Sequence, residues 1–134
     1  MKSNGSSLST ISDRVVEFVL TREVRELENL TVGAIARKFN MNRCYVSQRF
    51  KYDKKFSLHD YILMVKILRS LSLLEAKEEI TVEDLAKKMG FASSDYFTRV
   101  FKRIIGTTPG KYKNCFKKGK PLKMLGEGKD SNQG

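Results

Sequence analysis

An internal repeat constrains the fold of this chain more than any other feature: YVSQRFK at residues 45–51 returns as YFTRVFK at residues 96–102. With an offset of 50 residues before a turn and 51 after it, the two copies share eight identities. The identical pairs are Thr31 and Thr81, Val32 and Val82, Ala36 and Ala86, Lys38 and Lys88, Tyr45 and Tyr96, Phe50 and Phe101, Lys51 and Lys102, and Tyr61 and Tyr112. A repeated segment predicts a repeated structural unit.

Each copy has the pattern of two short helices around a tight turn. In the first copy, Ile35, Ala36 and Phe39 fall on one helical face, and the letters NMN at 40–42 then interrupt the period with turn-forming residues. In the second copy, Gly90 suits the left-handed residue that follows a helix. Two helices of this length around one turn predict a helix-turn-helix in each copy.

Capping residues mark where the helices begin and end. Capping boxes are predicted at three helix starts, by Thr10 with Asp13, Ser57 with Asp60 and Thr81 with Asp84. Gly106 is expected at a helix end, and Thr108 and Pro109 at the start of the last helix. The charged stretch at 22–30 is interpreted as a helix end and a loop. Since no alternating strand pattern occurs, the predicted fold class is all-α, with seven helices in two helix-turn-helix subdomains joined by a long linker helix.

The charge of the chain limits its partners. The formal net charge is +11, which favours a polyanion such as nucleic acid or an anionic membrane face. Two cysteines and one histidine are too few and too scattered for a zinc site. Because the two cysteines form no framework of disulfide bridges, they indicate a reducing compartment. Nucleotide-binding loops and nucleophile elbows are absent from the sequence. We therefore expect no enzyme, no metal and no cofactor, and a cytoplasmic, nucleoid-associated protein without a membrane partner.

A longer helix is predicted between the copies. Its segment YILMVKILRSLSLL is apolar nearly all round, but Lys66 and Arg69 interrupt it, and a membrane span needs about 20 apolar residues. We interpret it as a buried linker helix. At 1.5 Å per residue its length is about 25 Å, compared with about 34 Å between successive major-groove faces of B-DNA. Two tandem units on one chain could enter neighbouring groove segments, so we expect a non-palindromic site.

The second copy resembles a known family. TVEDLAKKMGFASSDYFTRVFKRIIGTTPGKYK, with its LAKKMGF turn and its G-x-[ST]-P-x-x-[YF] ending, is similar to the second helix-turn-helix of the AraC/XylS transcription regulators. The first copy resembles the first unit of that family, and the similarity covers about residues 11–116. The resemblance implies a seven-helix domain that binds promoter DNA as a sequence-specific transcriptional regulator and contacts RNA polymerase. It also implies an effector-binding or dimerisation domain if the chain is part of a longer regulator.

Three residues depart from the family pattern. Lys55 stands where the family usually has glycine, which predicts an irregular end to the first recognition helix. Lys66 stands for the usual arginine, and lysine cannot form the two-pronged contacts of a guanidinium group. Ser70 stands for the usual alanine.

Base-reading candidates lie on the outward faces of the two recognition helices. They are Arg43, Cys44, Ser47 and Gln48 on the first helix, and Ser94, Asp95, Thr98 and Arg99 on the second. The resemblance places Cys44, Ser47 and Gln48 at base-contact positions, and a glutamine can pair with adenine. Asp95 could accept a hydrogen bond from a cytosine amino group or cap its helix, together with Ser94.

Phosphate contacts are expected from residues near helix N-termini and from lysines near the recognition helices. The candidates are Thr31, Lys51, Thr81, Lys102, Lys111 and Lys113. From Tyr96 to Gly126 the chain holds nine lysines and arginines and no acid, which favours phosphate binding beside the second recognition helix.

The sequence predicts five segments: a flexible start at 1–8, a first subdomain at 9–56, the linker helix at 57–76, a second subdomain at 77–116 and a basic flexible tail at 117–134. Two other functions share the basic helical surface, namely RNA binding and docking on a protein partner. A comparison of duplex DNA with RNA at matched salt separates the first, and an absence of salt-dependent DNA binding indicates the second.

Overall fold

A computed structural model describes residues 10–76 and 79–117, and every regular element within these ranges is helical. The α-helices are α1 (Ile11–Leu20), α2 (Val32–Lys38), α3 (Arg43–Lys54), α4 (Leu58–Glu75), α5 (Val82–Lys88), α6 (Ser94–Ile105) and α7 (Pro109–Lys117). The all-α prediction is confirmed. The segments predicted as a flexible start and a basic tail lie outside the described residues, apart from Lys117 at the end of α7. None of the described helices combines the length and the apolar character that a membrane crossing requires.

An eighth helix lies where a loop was expected. A 3-10 helix covers Val24–Asn29, and the Glu23 backbone N–H donates to the Glu26 carboxylate at 2.8 Å. Leu27 is fully buried and ties this turn to the core. One buried side chain in six residues leaves no helical period in the sequence, so this helix was not predicted.

The chain divides into two compact units, and the division falls inside α4 between Val65 and Lys66. In the first unit, α1 and α2 both pack against α3. Its core holds aliphatic residues, the Phe50 ring of α3 and the Tyr61 ring in the first turn of α4. The fully or almost fully buried members are Val15, Val19, Leu27, Ile35, Val46, Phe50, Leu58 and Ile62.

Two polar contacts fasten α1 to the last turn of α3. The buried hydroxyl of Ser12 donates to Asp53 at 2.6 Å, and the Lys54 ammonium contacts Asp13 at 2.5 Å. The Ser12 hydrogen bond lowers the pKa of the Asp53 carboxyl, and Lys54 lowers that of Asp13. Both aspartates therefore stay ionised at neutral pH and hold α3 on α1.

In the second unit α6 packs against α5 and α7. Phe97 and Phe101 are fully buried with ring centroids 5.8 Å apart, and the Tyr112 ring lies 6.0 Å from that of Phe101. The Tyr112 hydroxyl donates to the Glu75 carboxylate, which joins α7 to the end of α4. Both phenylalanines thus lie on the inward face of α6, away from the candidates expected on its outward face.

The predicted helix starts are confirmed. Of the three predicted capping boxes, only that of Thr10 and Asp13 at α1 is reciprocal; Ser57 and Thr81 show the hydroxyl half alone. At the other starts a hydroxyl accepts a backbone N–H three residues on, at 3.0–3.3 Å. The pairs are Ser57 with Asp60, Thr81 with Asp84, and Thr108 with Lys111. These bonds satisfy N–H groups that have no partner within their own helix.

Left-handed residues recur at equivalent places in the two units. Asn40 (φ 56°) corresponds to Gly90 (φ 79°), and Lys55 (φ 72°) corresponds to Gly106 (φ 100°). The predicted roles of both glycines are confirmed. Lys55 keeps the conformation of its glycine counterpart although its Cβ is strained there, so α3 ends as α6 does.

Replacing Lys55 with glycine should therefore raise the free energy of unfolding of the first unit by about 0.5–1 kcal/mol. The gain comes from relief of the left-handed strain, reduced by the greater freedom of glycine in the unfolded chain. Urea denaturation measures it. Gly106→Ala is the matched control and should lose about 1 kcal/mol, because it introduces the same strain. A less stable Lys55→Gly protein would contradict the assignment of strain to Lys55.

Candidate nucleic-acid interface

The N-terminus of α6 is capped by a residue that the sequence did not single out. The Ser93 hydroxyl accepts the Tyr96 backbone N–H at 3.1 Å. Ser94 and Asp95 are the first two helical residues, so the interpretation of either as the N-cap was wrong. The second copy has one extra residue, Ala92, in its turn. Its N-cap therefore comes three residues after the left-handed Gly90, whereas Asn42 comes two residues after the left-handed Asn40. Asp95 consequently has an exposed side chain that no capping bond occupies.

The outward face of α6 carries the base-reading candidates. Asp95, Arg99 and Lys102 are exposed, and Thr98 is half-buried at the edge of the face. The guanidinium group of Arg99 lies 5.9 Å from the ring centroid of Tyr96, which lies 5.7 Å from that of Phe91. This stacking restricts the arginine to one side of the helix.

A buried lysine lies beneath this row of rings. Lys66 is 5% exposed, and its ammonium group lies 5.9 Å from the centroid of Phe91, which packs on Phe97 at 5.1 Å. No hydrogen-bond acceptor for this ammonium group is found among the residues that the structure describes. Burial lowers the pKa of Lys66 to about 8. The positive charge is therefore costly where it lies.

Stability should consequently depend on pH through Lys66. The unfolded chain keeps a proton that the folded protein loses between about pH 8 and the ordinary lysine pKa of 10.5, so the free energy of unfolding rises with pH across that window. Lys66→Met should stabilise the protein by about 1–2 kcal/mol at pH 7 and lose that advantage towards pH 10.5. Urea titrations of both proteins measure the difference, and Lys88→Met is the exposed control. A difference that is the same at pH 7 and pH 10 would contradict the role given to Lys66.

The outward face of α3 is built in the same way. The Asn42 side chain caps the helix by accepting the backbone N–H groups of Cys44 and Tyr45 at 2.8 and 3.2 Å. Val46 and Phe50 face the core and are almost fully buried. The candidates Arg43, Cys44 and Gln48 are exposed, and Ser47 is half-buried. The four candidate side chains thus lie together on the side of α3 that points away from its core.

The phosphate candidates differ in exposure and in the contacts that they already make within the protein. Thr31 and Thr81 are exposed N-caps that accept the backbone N–H groups of their own helices, which leaves their hydroxyl protons for an incoming oxygen. Three of the four lysine candidates are exposed, namely Lys51, Lys102 and Lys111. The exception is Lys113, whose ammonium group contacts the Glu79 carboxylate at 3.3 Å and the Ile80 carbonyl at 3.2 Å. A phosphate would have to replace these partners.

The structure also exposes residues of α3 that the sequence interpretation passed over. Tyr45, Arg49 and Tyr52 form a row at helical spacing, and Tyr52 is 68% exposed. The spacing was visible in the sequence, but large aromatic residues normally indicate a core position. In the part of the chain that the structure describes, there is no cluster of three side chains suited to a metal.

Residues 35–114 match the family model described as a helix-turn-helix domain, HTH_18. The matched region contains both recognition helices. The chain belongs to the AraC-type helix-turn-helix family. The resemblance stated from the sequence is confirmed.

The chain matches only part of the length of its AraC-type relatives. It is 33% identical over 85 residues to the Msm operon regulatory protein of Streptococcus mutans, and this alignment covers 63% of this chain and 30% of that protein. It is 29% identical over 117 residues to the HTH-type transcriptional activator CfaD of Escherichia coli, covering 85% and 41%. The chain thus spans less than half the length of either relative.

A crystal structure shares the AraC-type fold. The DNA-binding domain of the transcriptional factor AdpA, solved in complex with a target DNA, superposes with a TM-score of 0.67 at 23% identity. The alignment covers 84% of this chain and 98% of that domain. At this identity the likeness establishes the fold.

Proposed function

We propose that this chain is the sequence-specific DNA-binding part of a bacterial transcriptional regulator. The observation that carries the proposal is α6, which buries Phe97, Val100 and Phe101 and exposes Arg99 and Lys102. An α-helix fits the major groove of B-DNA, where arginine pairs with guanine and lysine binds phosphate. The helix would therefore present Arg99 to a base and Lys102 to a phosphate, while its other face is held in the core.

The first unit would bind in the same way through α3. We assign the two reading subdomains to residues 9–56 and 77–116, joined by the linker helix at 57–76. Since the units are tandem copies in one chain, they would read two adjacent major-groove segments of a non-palindromic promoter site. The seven other base candidates and the five other phosphate candidates named from the sequence remain predictions within this assignment.

Other partners follow from membership of the family. We propose that the bound protein contacts RNA polymerase and acts in the cytoplasm, where the chromosome lies. If the chain is part of a longer regulator, as its match to less than half of each relative allows, we propose that an effector-binding or dimerisation domain lies elsewhere in that regulator. The proposal contains no catalytic step.

Selection of bound sequences from a random duplex pool tests the function. The expected result is one enriched asymmetric motif with two sub-sites about one helical turn apart. Binding to the selected duplex should weaken steeply with salt, and single-stranded or double-stranded RNA of the same sequence should bind more weakly at matched salt. An unenriched pool, or equal binding to RNA, would refute sequence-specific DNA recognition.

Lys102→Ala should weaken binding to the selected and to scrambled duplexes alike. Loss of one phosphate contact should reduce the slope of log K against log salt by about 0.9, because one fewer counterion is released. Binding titrations between about 50 and 200 mM salt measure the slope. Lys88→Ala is the control, since Lys88 is exposed on α5 rather than on a recognition helix. An unchanged slope for Lys102→Ala would remove this phosphate contact.

A further inference from the structure

One flank of α3 has an unusual surface that the proposed function leaves unexplained. Tyr45, Arg49 and Tyr52 are spaced at i, i+4 and i+7, so their side chains form one row along the helix. The row borders Gln48, which is three residues from Tyr45 and four from Tyr52. We call these three residues the aromatic flank. It lies beside the base-reading candidates rather than among them.

The two tyrosines of the aromatic flank expose both ring and hydroxyl. Tyr45 is 50% exposed and Tyr52 68% exposed. Within the described ranges neither phenol oxygen has a hydrogen-bond partner. An exposed phenol on a DNA-facing helix is a free O–H donor, and tyrosine is one of the side chains that contact phosphate oxygens.

Positive charge surrounds the ring of Tyr52. The guanidinium carbon of Arg49 lies 5.4 Å from its centroid and the ammonium group of Lys55 lies 5.0 Å from it. Arg49 donates from Nε to Asp53 at 3.1 Å, and no acceptor contacts its terminal amino groups in the described part of the chain. Asp53 offsets the charge of Arg49, so the remaining positive charge comes from Lys55, whose ammonium group donates to the Tyr52 carbonyl and contacts no carboxylate among the described residues. An anion is therefore favoured at this flank.

At the equivalent positions of α6, the second unit has no such exposed aromatic row. The repeat places Tyr96, Val100 and Arg103 opposite Tyr45, Arg49 and Tyr52. The Tyr96 ring packs on Phe91, and Val100 is buried at 3% exposure, which leaves Arg103 as the exposed member. Since the two units otherwise share their core and caps, the open flank is a difference specific to α3.

We propose that the aromatic flank binds the phosphates of one DNA strand along the edge of the groove that α3 enters. The proposal rests on the proposed function. The phenol groups of Tyr45 and Tyr52 donate to phosphate oxygens, and Arg49 and Lys55 supply the positive charge. The flank thereby adds affinity without adding sequence preference, because phosphate contacts are the same for every base pair.

The decisive variant is Tyr45→Phe combined with Tyr52→Phe, which keeps both rings and removes both hydroxyls. Its affinity should fall about tenfold, since each lost hydrogen bond to a charged oxygen costs a few-fold. The loss should be equal on selected and scrambled duplexes, and the salt slope should stay unchanged because the side chains are neutral. Ser72→Ala, which removes an exposed hydroxyl from α4, is the control and should bind within about twofold of the wild type.

A second variant tests the charge. Arg49→Gln should reduce the salt slope by about 0.9 and leave the preferred sequence unchanged. Thermal denaturation of the same sample shows whether the loss of the Asp53 contact alters the fold, and the tyrosine pair does not depend on that contact.

Four results would overturn the proposal. They are wild-type binding of every duplex by the double variant, an equal loss of affinity in Ser72→Ala, a changed preferred sequence, and a defect seen only in a transcription assay with DNA binding intact. The third result would make the flank a base reader, and the fourth would make it a protein-docking surface. A wild-type protein without salt-dependent duplex binding would instead refute the proposed function itself.

Discussion

Replacing Phe101 with alanine should lower the free energy of unfolding of the second unit by about 3–5 kcal/mol. The ring is fully buried between Phe97 and Tyr112, with centroids 5.8 and 6.0 Å away. Its removal leaves a cavity among aromatic neighbours that cannot rotate far to fill it. A small domain has a total stability of about 5–15 kcal/mol, so this variant should be only marginally folded.

Hydrogen exchange measured amide by amide resolves the effect. Protection should fall in α5, α6 and α7 and stay near its wild-type level in α1, α2 and α3, because the two units have separate cores. Phe116→Ala is the matched control, since Phe116 lies on α7 with 42% exposure and should cost less than about 1 kcal/mol. An equal loss for the two variants would contradict the central position of Phe101.

Arg99→Ala should have the largest effect on recognition. Its affinity for the selected duplex should fall by about 1–3 kcal/mol, and the base preference opposite α6 should relax. The Tyr96 ring favours one position of the guanidinium group before DNA arrives, which lowers the ordering cost of binding. Repeating the duplex selection with the variant measures both quantities.

Arg99→Lys separates reading from charge. Lysine keeps the positive charge but cannot donate the paired hydrogen bonds of a guanidinium group. We expect the salt slope of the wild type together with the relaxed preference of the alanine variant. A lysine variant that retained the full preference would show that the paired donors of the guanidinium group are not what reads the base.

The features of this fold that could be predicted were those set by the repeat and by local capping and turn residues. The two matching heptapeptides placed Phe50 and Phe101 at equivalent positions, and Gly90 and Gly106 predicted the two left-handed residues that the structure shows. The start of α7 followed from Thr108, whose hydroxyl caps a backbone N–H three residues away. Such features depend on neighbours within a few residues, so the sequence contains the whole cause.

Contacts between distant residues were not predictable. The pairs of Ser12 with Asp53 and of Lys113 with Glu79 join positions that only the folded chain brings together. The cap at Ser93 was missed because three residues in a row could each serve as one. At the candidate interface, the sequence placed the reading helices and their outward faces, while the freedom of individual side chains depended on these tertiary contacts.

The division of the chain inside α4 has a consequence for the design of protein fragments. The first core needs the Tyr61 ring, which packs on Phe50, and the second needs Glu75, which receives the Tyr112 hydroxyl. A cut at either end of α4 (Leu58–Glu75) would therefore remove residues that one of the two cores uses. A fragment meant to fold as a single unit must instead end or begin within the helix, near the boundary between Val65 and Lys66.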